Sequence, residues 1–128
     1  MTTTFADYCA TQDAKNTIQL NVHKWTLMLC DALMDNFKQR NHGSIAGRPA
    51  PEYKFYIEEG RKYHKVIMSD SSGHRSVHCF VDKKTGEVYK SASWKSPAKG
   101  VRFDLRLIEQ REWLFEHADW AGGYLYAR

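Results

Sequence analysis

The chain has 128 residues, of which 42% are hydrophobic and 27% charged, with only 8 Gly and 3 Pro. That length suits one domain with a buried core, and the composition excludes collagenous, low-complexity and fully disordered chains. Lys and Arg number 19 against 15 Asp and Glu, a formal net charge of +4, and no apolar run approaches the roughly 18 to 20 residues of a membrane span.

The first residues, Met-Thr-Thr-Thr-Phe-Ala-Asp-Tyr, lack the basic and apolar parts of a signal peptide. Residues 13–39 read as one long helix. Ile18, Val22, Trp25, Leu29, Leu33 and Phe37 recur every three or four positions and so share a face. Leu20, Leu27, Met28, Cys30 and Met34 widen the stripe. Asp13 is the expected N-cap and Asn41-His42-Gly43 the expected stop. Residues 2–12 are expected to add a short helical turn, with Phe5 and Tyr8 packing back on the body. A loop from His42 to Pro51 follows, too short to separate two domains.

From Tyr53 the period changes from helix to strand. Strands are expected over Tyr53–Glu58, Lys62–Ser69, His74–Asp82 and Glu87–Lys90, with turns at Glu59-Gly60, Asp70–Gly73 and Lys83–Gly86. Connections this short imply an antiparallel meander over 53–90. A basic loop over 91–103 leads to a second amphipathic helix over 104–118. Tyr124-Leu125-Tyr126, after Gly122-Gly123, is expected as a short strand or a docked tail. The fold class is therefore α+β: a single domain over 1–128, with a four-stranded meander and helices on one sheet face.

Pairing across Ser71-Ser72 places Val66 opposite Val77 and Lys65 opposite His78. Pairing across Lys83–Gly86 places Val81 opposite Val88 and Phe80 opposite Tyr89. One face then carries Val66, Met68, Val77, Cys79, Val81 and Val88, suited to a helical cover. The other carries Tyr63, Lys65, Ile67, Ser76, His78, Phe80 and Tyr89, aromatic interleaved with basic. Such a face can stack a base while neutralising phosphate, or pack against a helix or a second subunit. A one-residue slip exchanges the two sets.

The charge is concentrated. Lys90, Lys95, Lys99 and Arg102 fall in an acid-free stretch, and the rest of the chain carries 15 basic and 15 acidic residues. A clustered excess attracts anions, although a solvated lysine-rich loop has the same composition. The stretch also holds Trp94, Ser93 and Ser96, and it precedes the expected helix start, where unpaired N–H groups favour an anion. Charge, directional donors and a ring face together match the phosphate and base of a nucleic acid or nucleotide.

Catalytic patterns are weak. Three widely spaced cysteines, Cys9, Cys30 and Cys79, argue against a disulfide framework and for a reducing compartment. Cys79 reads as a small buried hydrophobe. There is no Cys-x-x-Cys pair for zinc, and His74 and His78, four positions apart, fall on an expected strand, where that spacing separates them by about 13 Å. No phosphate loop or dinucleotide fingerprint is present. Hydrolase or nuclease activity would rest on Glu58, His64 and His78 alone.

The runs Gly60-Arg-Lys-Tyr-His-Lys, Ser76-Val-His-Cys-Phe-Val-Asp, Thr85-Gly-Glu-Val-Tyr-Lys and Ala92-Ser-Trp-Lys-Ser-Pro-Ala-Lys-Gly resemble a block, residues 60–104 here, found in small uncharacterised accessory proteins of tailed bacteriophages. The resemblance implies a gene product of the infected bacterial cytoplasm that binds nucleic acid, inhibits or sequesters a host factor, or forms part of the virion. It transfers no catalytic residue. The element order is also similar to that of the double-stranded RNA-binding domain, where Lys95, Lys99 and Arg102 would stand at the basic motif before the last helix. The longer first helix and the missing Lys-Lys pair depart from that family.

The sequence therefore leads us to expect a non-enzymatic binder of nucleic acid, nucleotide or phosphate through Lys90, Ser93, Trp94, Lys95, Ser96, Lys99 and Arg102, with Lys65 and His78 on the sheet. No catalytic residue, metal, cofactor or membrane partner is expected. The alternative is an interaction module for a host protein, a virion component or a homo-oligomer, with Trp94, Trp113 and Trp120 as candidate contacts.

Overall fold

The computed structural model describes residues 4–40, 44–45, 48–49 and 52–126. Its first element, α1, runs over Phe5–Arg40, about 54 Å at 1.5 Å per residue. No Gly or Pro interrupts those 36 residues, so the extra turn expected before residue 13 is continuous with the helix. Asp13 is an interior residue and not the cap. Thr4 takes that role, its Oγ1 accepting the Asp7 N–H at 3.1 Å. The expected stop at Asn41-His42-Gly43 lies outside the described residues. Within the expected loop, β1 (Ser44–Ile45) and β2 (Arg48–Pro49) pair antiparallel.

Val22, Leu29, Cys30, Leu33 and Phe37 of α1 are buried, as their spacing requires. Thr26 is buried among them because its hydroxyl donates to the Val22 carbonyl at 2.7 Å, which removes the cost of an unpaired polar group. Phe5 and Tyr8 do not pack back; both stand exposed.

The main sheet is a meander in the order β3 (Tyr53–Glu59), β4 (Tyr63–Asp70), β5 (Arg75–Asp82), β6 (Glu87–Lys90) and β7 (Phe103–Asp104). The fifth strand, two residues long, escapes a periodicity reading. It pairs Val88 with Phe103 and Glu87 with Asp104, which delays the second helix. That helix, α2, spans Ile108–His117 instead of starting at 104. After it, the tail docks: Leu125, in a 3-10 turn over Gly123–Leu125, is buried in the core. Trp120 stacks on Tyr53 and meets Phe37 edge-on.

The β5–β6 hairpin has the expected register, with Phe80 opposite Tyr89 and Val81 opposite Val88. Asp82 Oδ1 accepts the N–H groups of Lys84 and Thr85, and Gly86 turns the chain at φ 77°. The β4–β5 register departs from expectation. Asp70 Oδ1 accepts the N–H groups of Ser72 and His74, and Gly73 adopts φ 91°. The turn is thus wider than a two-residue Ser71-Ser72 loop. A bulge between Val66 and Ile67 follows, leaving Ile67 opposite Val77 but Val66 opposite Cys79 and Lys65 opposite Phe80.

One extra residue on β5 reverses its alternation on the turn side of the bulge. Val77 and Ser76 exchange faces relative to expectation, and His78 is drawn toward the helices. Val66, Cys79, Val81 and Val88 face the helices in one core with Leu29, Leu33, Phe103, Leu114 and Leu125. Val77 instead joins Ile67 and Phe80 in a second cluster edged by Tyr63 and Tyr89. His78 Nε2 lies 2.7 Å from the Tyr124 hydroxyl, and its ring meets Phe55 edge-on.

Burial pushes the His78 imidazole down to about 4. The unfolded chain takes up this proton near 6.5 and the folded chain only near 4, so acid favours unfolding in that window. Between pH 7 and pH 5 the group's contribution falls by about 2 kcal/mol. Chemical denaturation at the two pH values should show a loss smaller by about that amount in His78→Gln; an identical loss in both proteins would place the proton elsewhere.

Candidate nucleic-acid interface on the open sheet face

On the face away from the helices, Tyr56 of β3 lies opposite Ile67, Lys65 of β4 opposite Phe80, and Arg75 of β5 opposite Ser69. Beneath them Ile67, Val77 and Phe80 are buried, with Tyr63 edge-on to both Phe80 and Tyr89. The floor is apolar and closely packed, and the polar and aromatic groups rise from it.

Residues 91–97 form a closed loop. Ser91 bridges to Pro97, and the Ala92 and Ser93 N–H groups donate to the Ser96 carbonyl at 3.0 and 3.1 Å. Ser93 Oγ accepts the N–H groups of Lys95 and Ser96. Ser91 Oγ ties the loop to β5 through the Val77 carbonyl at 2.8 Å. Trp94 is thereby presented with its ring 4.9 Å from the Lys65 ammonium and 5.0 Å from the Arg75 guanidinium. Arg75 also lies 5.9 Å from the Tyr56 ring. Trp94 and Tyr56 are each 38% exposed, so both rings keep area for a ligand. Glu58, the acid on this face of β3, pairs with Arg75, an exposed bond that an incoming phosphate can replace at low cost.

The structure brings together two of the nine expected ligand residues, Lys65 and Trp94, and adds Arg75 and Tyr56. The others go elsewhere. Lys90 shares the helix-side parity of Val88, and its ammonium lies 4.8 Å from the Tyr126 ring. Lys95 and Lys99 are exposed on the loop. The Ser93 hydroxyl and the Ser96 backbone close that loop. His78 is committed to Tyr124. Arg102 donates from Nε to the Leu125 carbonyl at 2.6 Å and from Nη1 to the carbonyls of Lys99 and Gly100.

The expected pocket beside a helix start is therefore not formed by the basic residues together. The strand β7 separates the loop from α2, whose N-cap Leu107 makes no side-chain cap. Asp104 Oδ1 is occupied by the Arg106 N–H. A cleft of about 530 Å³ does lie there, but its charged side chains are Arg102 and Glu109, which oppose each other in sign. Sequence reading missed both Tyr56 and Arg75. The signal for Arg75 was the parity it shares with Val77, which the bulge moved to the open face.

Nucleophilic chemistry finds no support in the two buried cysteines. Burial pushes the Cys30 thiol up to about 12 and the Cys79 thiol well above its ordinary value, so neither supplies a thiolate. Cys79 is the buried hydrophobe expected of it.

Arg102→Ala should lower stability by about 2 kcal/mol, because three carbonyl acceptors lose a charged donor, whereas Lys99→Ala should be near neutral. Urea midpoints for the two variants test this; equal midpoints would show that the tail is held without Arg102.

No curated protein and no solved structure matches the chain. A sequence profile matches residues 5–127, from the first turn of α1 through the docked tail. The chain belongs to DUF7717, a family of unknown function.

Proposed function

We propose that this protein is a non-enzymatic binder of single-stranded nucleic acid, with bases stacking on Trp94 and Tyr56 and phosphates meeting Lys65 and Arg75. One observation carries the reading: two cations from neighbouring strands flank a half-exposed tryptophan ring on the sheet face that the helices leave open. An aromatic platform bordered by cations holds any base, because every base has a π-face and every linkage a phosphate. Lys54, also on this face by its parity with Tyr56, extends the positive track. The resemblance of residues 60–104 to small tailed-phage proteins supports an accessory role in an infected cell.

Fluorescence anisotropy of a labelled single-stranded oligonucleotide at two salt concentrations tests the proposal. Affinity should fall with salt, and Lys65→Ala and Arg75→Ala should each flatten the log–log slope by about one. Trp94→Ala should weaken binding by about 10-fold or more at either salt, while Lys90→Ala on the opposite face should change little. Absence of binding at low salt, or equal loss in Lys90→Ala and Arg75→Ala, would overturn it.

A second reading, self-association or docking on a host protein, is favoured by α1. Leu20, Leu27 and Met28 are exposed along it, with Phe5 and Tyr8 nearer its start. Apolar side chains on a long helix suit an interface. Light scattering should then give a dimer mass that reverts to the monomer in Leu20→Glu/Leu27→Glu; a strict monomer counts against self-association.

A further inference from the structure

We infer that His23, Glu59 and His64 form a binding site for a divalent transition-metal ion of the zinc class. The site lies on the helix side of the sheet, separate from Trp94 and its cations. Glu59, the last residue of β3, is paired directly with His64 of β4, and His23 reaches them from α1. One ligand atom from each of the three lies within 4.8 Å of the other two. The two imidazole rings meet edge-on with centroids 5.0 Å apart. They line a cleft of about 500 Å³ together with Asn16, Gln19, Leu20 and Lys83, which gives an ion a path from solvent.

A second observation points to a missing ligand. His64 is 1% exposed, and its Nδ1 is buried with no hydrogen-bond partner. A buried ring nitrogen left unpaired costs about 1 to 3 kcal/mol. Such a group is retained where an ion binds at the ring or orders it. Two imidazoles and one carboxylate suit Zn²⁺ and its neighbours and do not suit Mg²⁺ or Ca²⁺, which prefer all-oxygen shells. Three protein ligands leave a fourth position for water or an exogenous donor. Ligand atoms about 2.1 Å from a tetrahedral ion stand roughly 3.4 Å apart. The three groups must therefore draw in slightly, and the exposed Glu59 side chain has the freedom to do so. Lys83 is the internal competitor, its ammonium 3.0 Å from Glu59 Oε1 and 3.1 Å from the Gly60 carbonyl.

The three ligands come from three segments, so no two of them stand at zinc spacing in the sequence. Metal binding would clamp α1 onto the β3–β4 hairpin. Isothermal titration of the metal-free full chain with zinc chloride should give one equivalent bound, with magnesium chloride giving no heat. His23→Ala and Glu59→Gln, both away from the closed core, should each weaken zinc binding by about 100-fold or more, and zinc should raise the melting temperature of the parent but not of either variant. Lys83→Met should tighten binding by removing the competing charge. Cobalt substitution should give the intense visible bands of a four-coordinate ion. No binding in the parent, or binding that survives both His23→Ala and Glu59→Gln, would overturn the assignment.

Discussion

A single residue inserted into one strand decides what each face of this protein presents. Because β5 carries a bulge opposite Val66 and Ile67, its side chains near the Asp70–His74 turn alternate out of phase with those beyond it. Cys79 and Val81 enter the helix-covered core, while Val77 and Arg75 go to the open face. His78, the extra residue, is pulled toward Tyr124 and Phe55. Without the bulge His78 would join Lys65 on the open face and Arg75 would point toward the helices. The bulge thus exchanges a titratable ring for a permanent cation beside Trp94. It also completes a second apolar cluster, in which full burial of Phe80 and Ile67 contributes on the order of 2 to 3 kcal/mol each.

Charge in this molecule is distributed by local bonding more than by sequence proximity. The four cations between Lys90 and Arg102 carry the whole formal excess, but two of them have structural occupations. Arg102 binds three carbonyls and fixes the tail, and Lys90 lies under Tyr126. A guanidinium has five donors in a fixed fork, so an Arg near a bend in the chain is readily used to satisfy carbonyls. Lys65 and Arg75, seated on strands, keep their charge near a ring. Cations held by regular structure over an aromatic surface are better placed for a ligand than cations on a loop that needs them to close.

The parts of the fold legible in the sequence were those set by local pattern. The helical repeat from Ile18 to Phe37 places Val22, Leu29, Leu33 and Phe37 in the core, and the Lys83–Gly86 turn sets the Phe80–Tyr89 pairing because Gly86 supplies the left-handed residue the loop needs. What stayed hidden depends on distant partners. Phe103-Asp104 is too short to show a period, and becomes a strand only because β6 has a free edge beside it. The Asp70 turn has a carboxylate that captures two N–H groups, and this added length moved the register. Thr4 caps the first helix in place of Asp13 because nothing between Phe5 and Asp13 breaks it. Of the site, Trp94 and Lys65 were legible as an aromatic and a cation in basic surroundings, whereas Arg75, His23 and Glu59 acquire meaning only through tertiary contact.

The central claim is that the ligand surface is the open sheet face and not the loop's junction with α2. Chemical-shift perturbation on adding a short single-stranded oligonucleotide to isotope-labelled protein tests it most directly. The account predicts shifts at the Trp94 indole N–H and at the amides of Tyr56, Lys65 and Arg75, with Lys90, Arg102 and Glu109 unmoved. Shifts confined to Lys99, Arg102 and the first turn of α2 would contradict it.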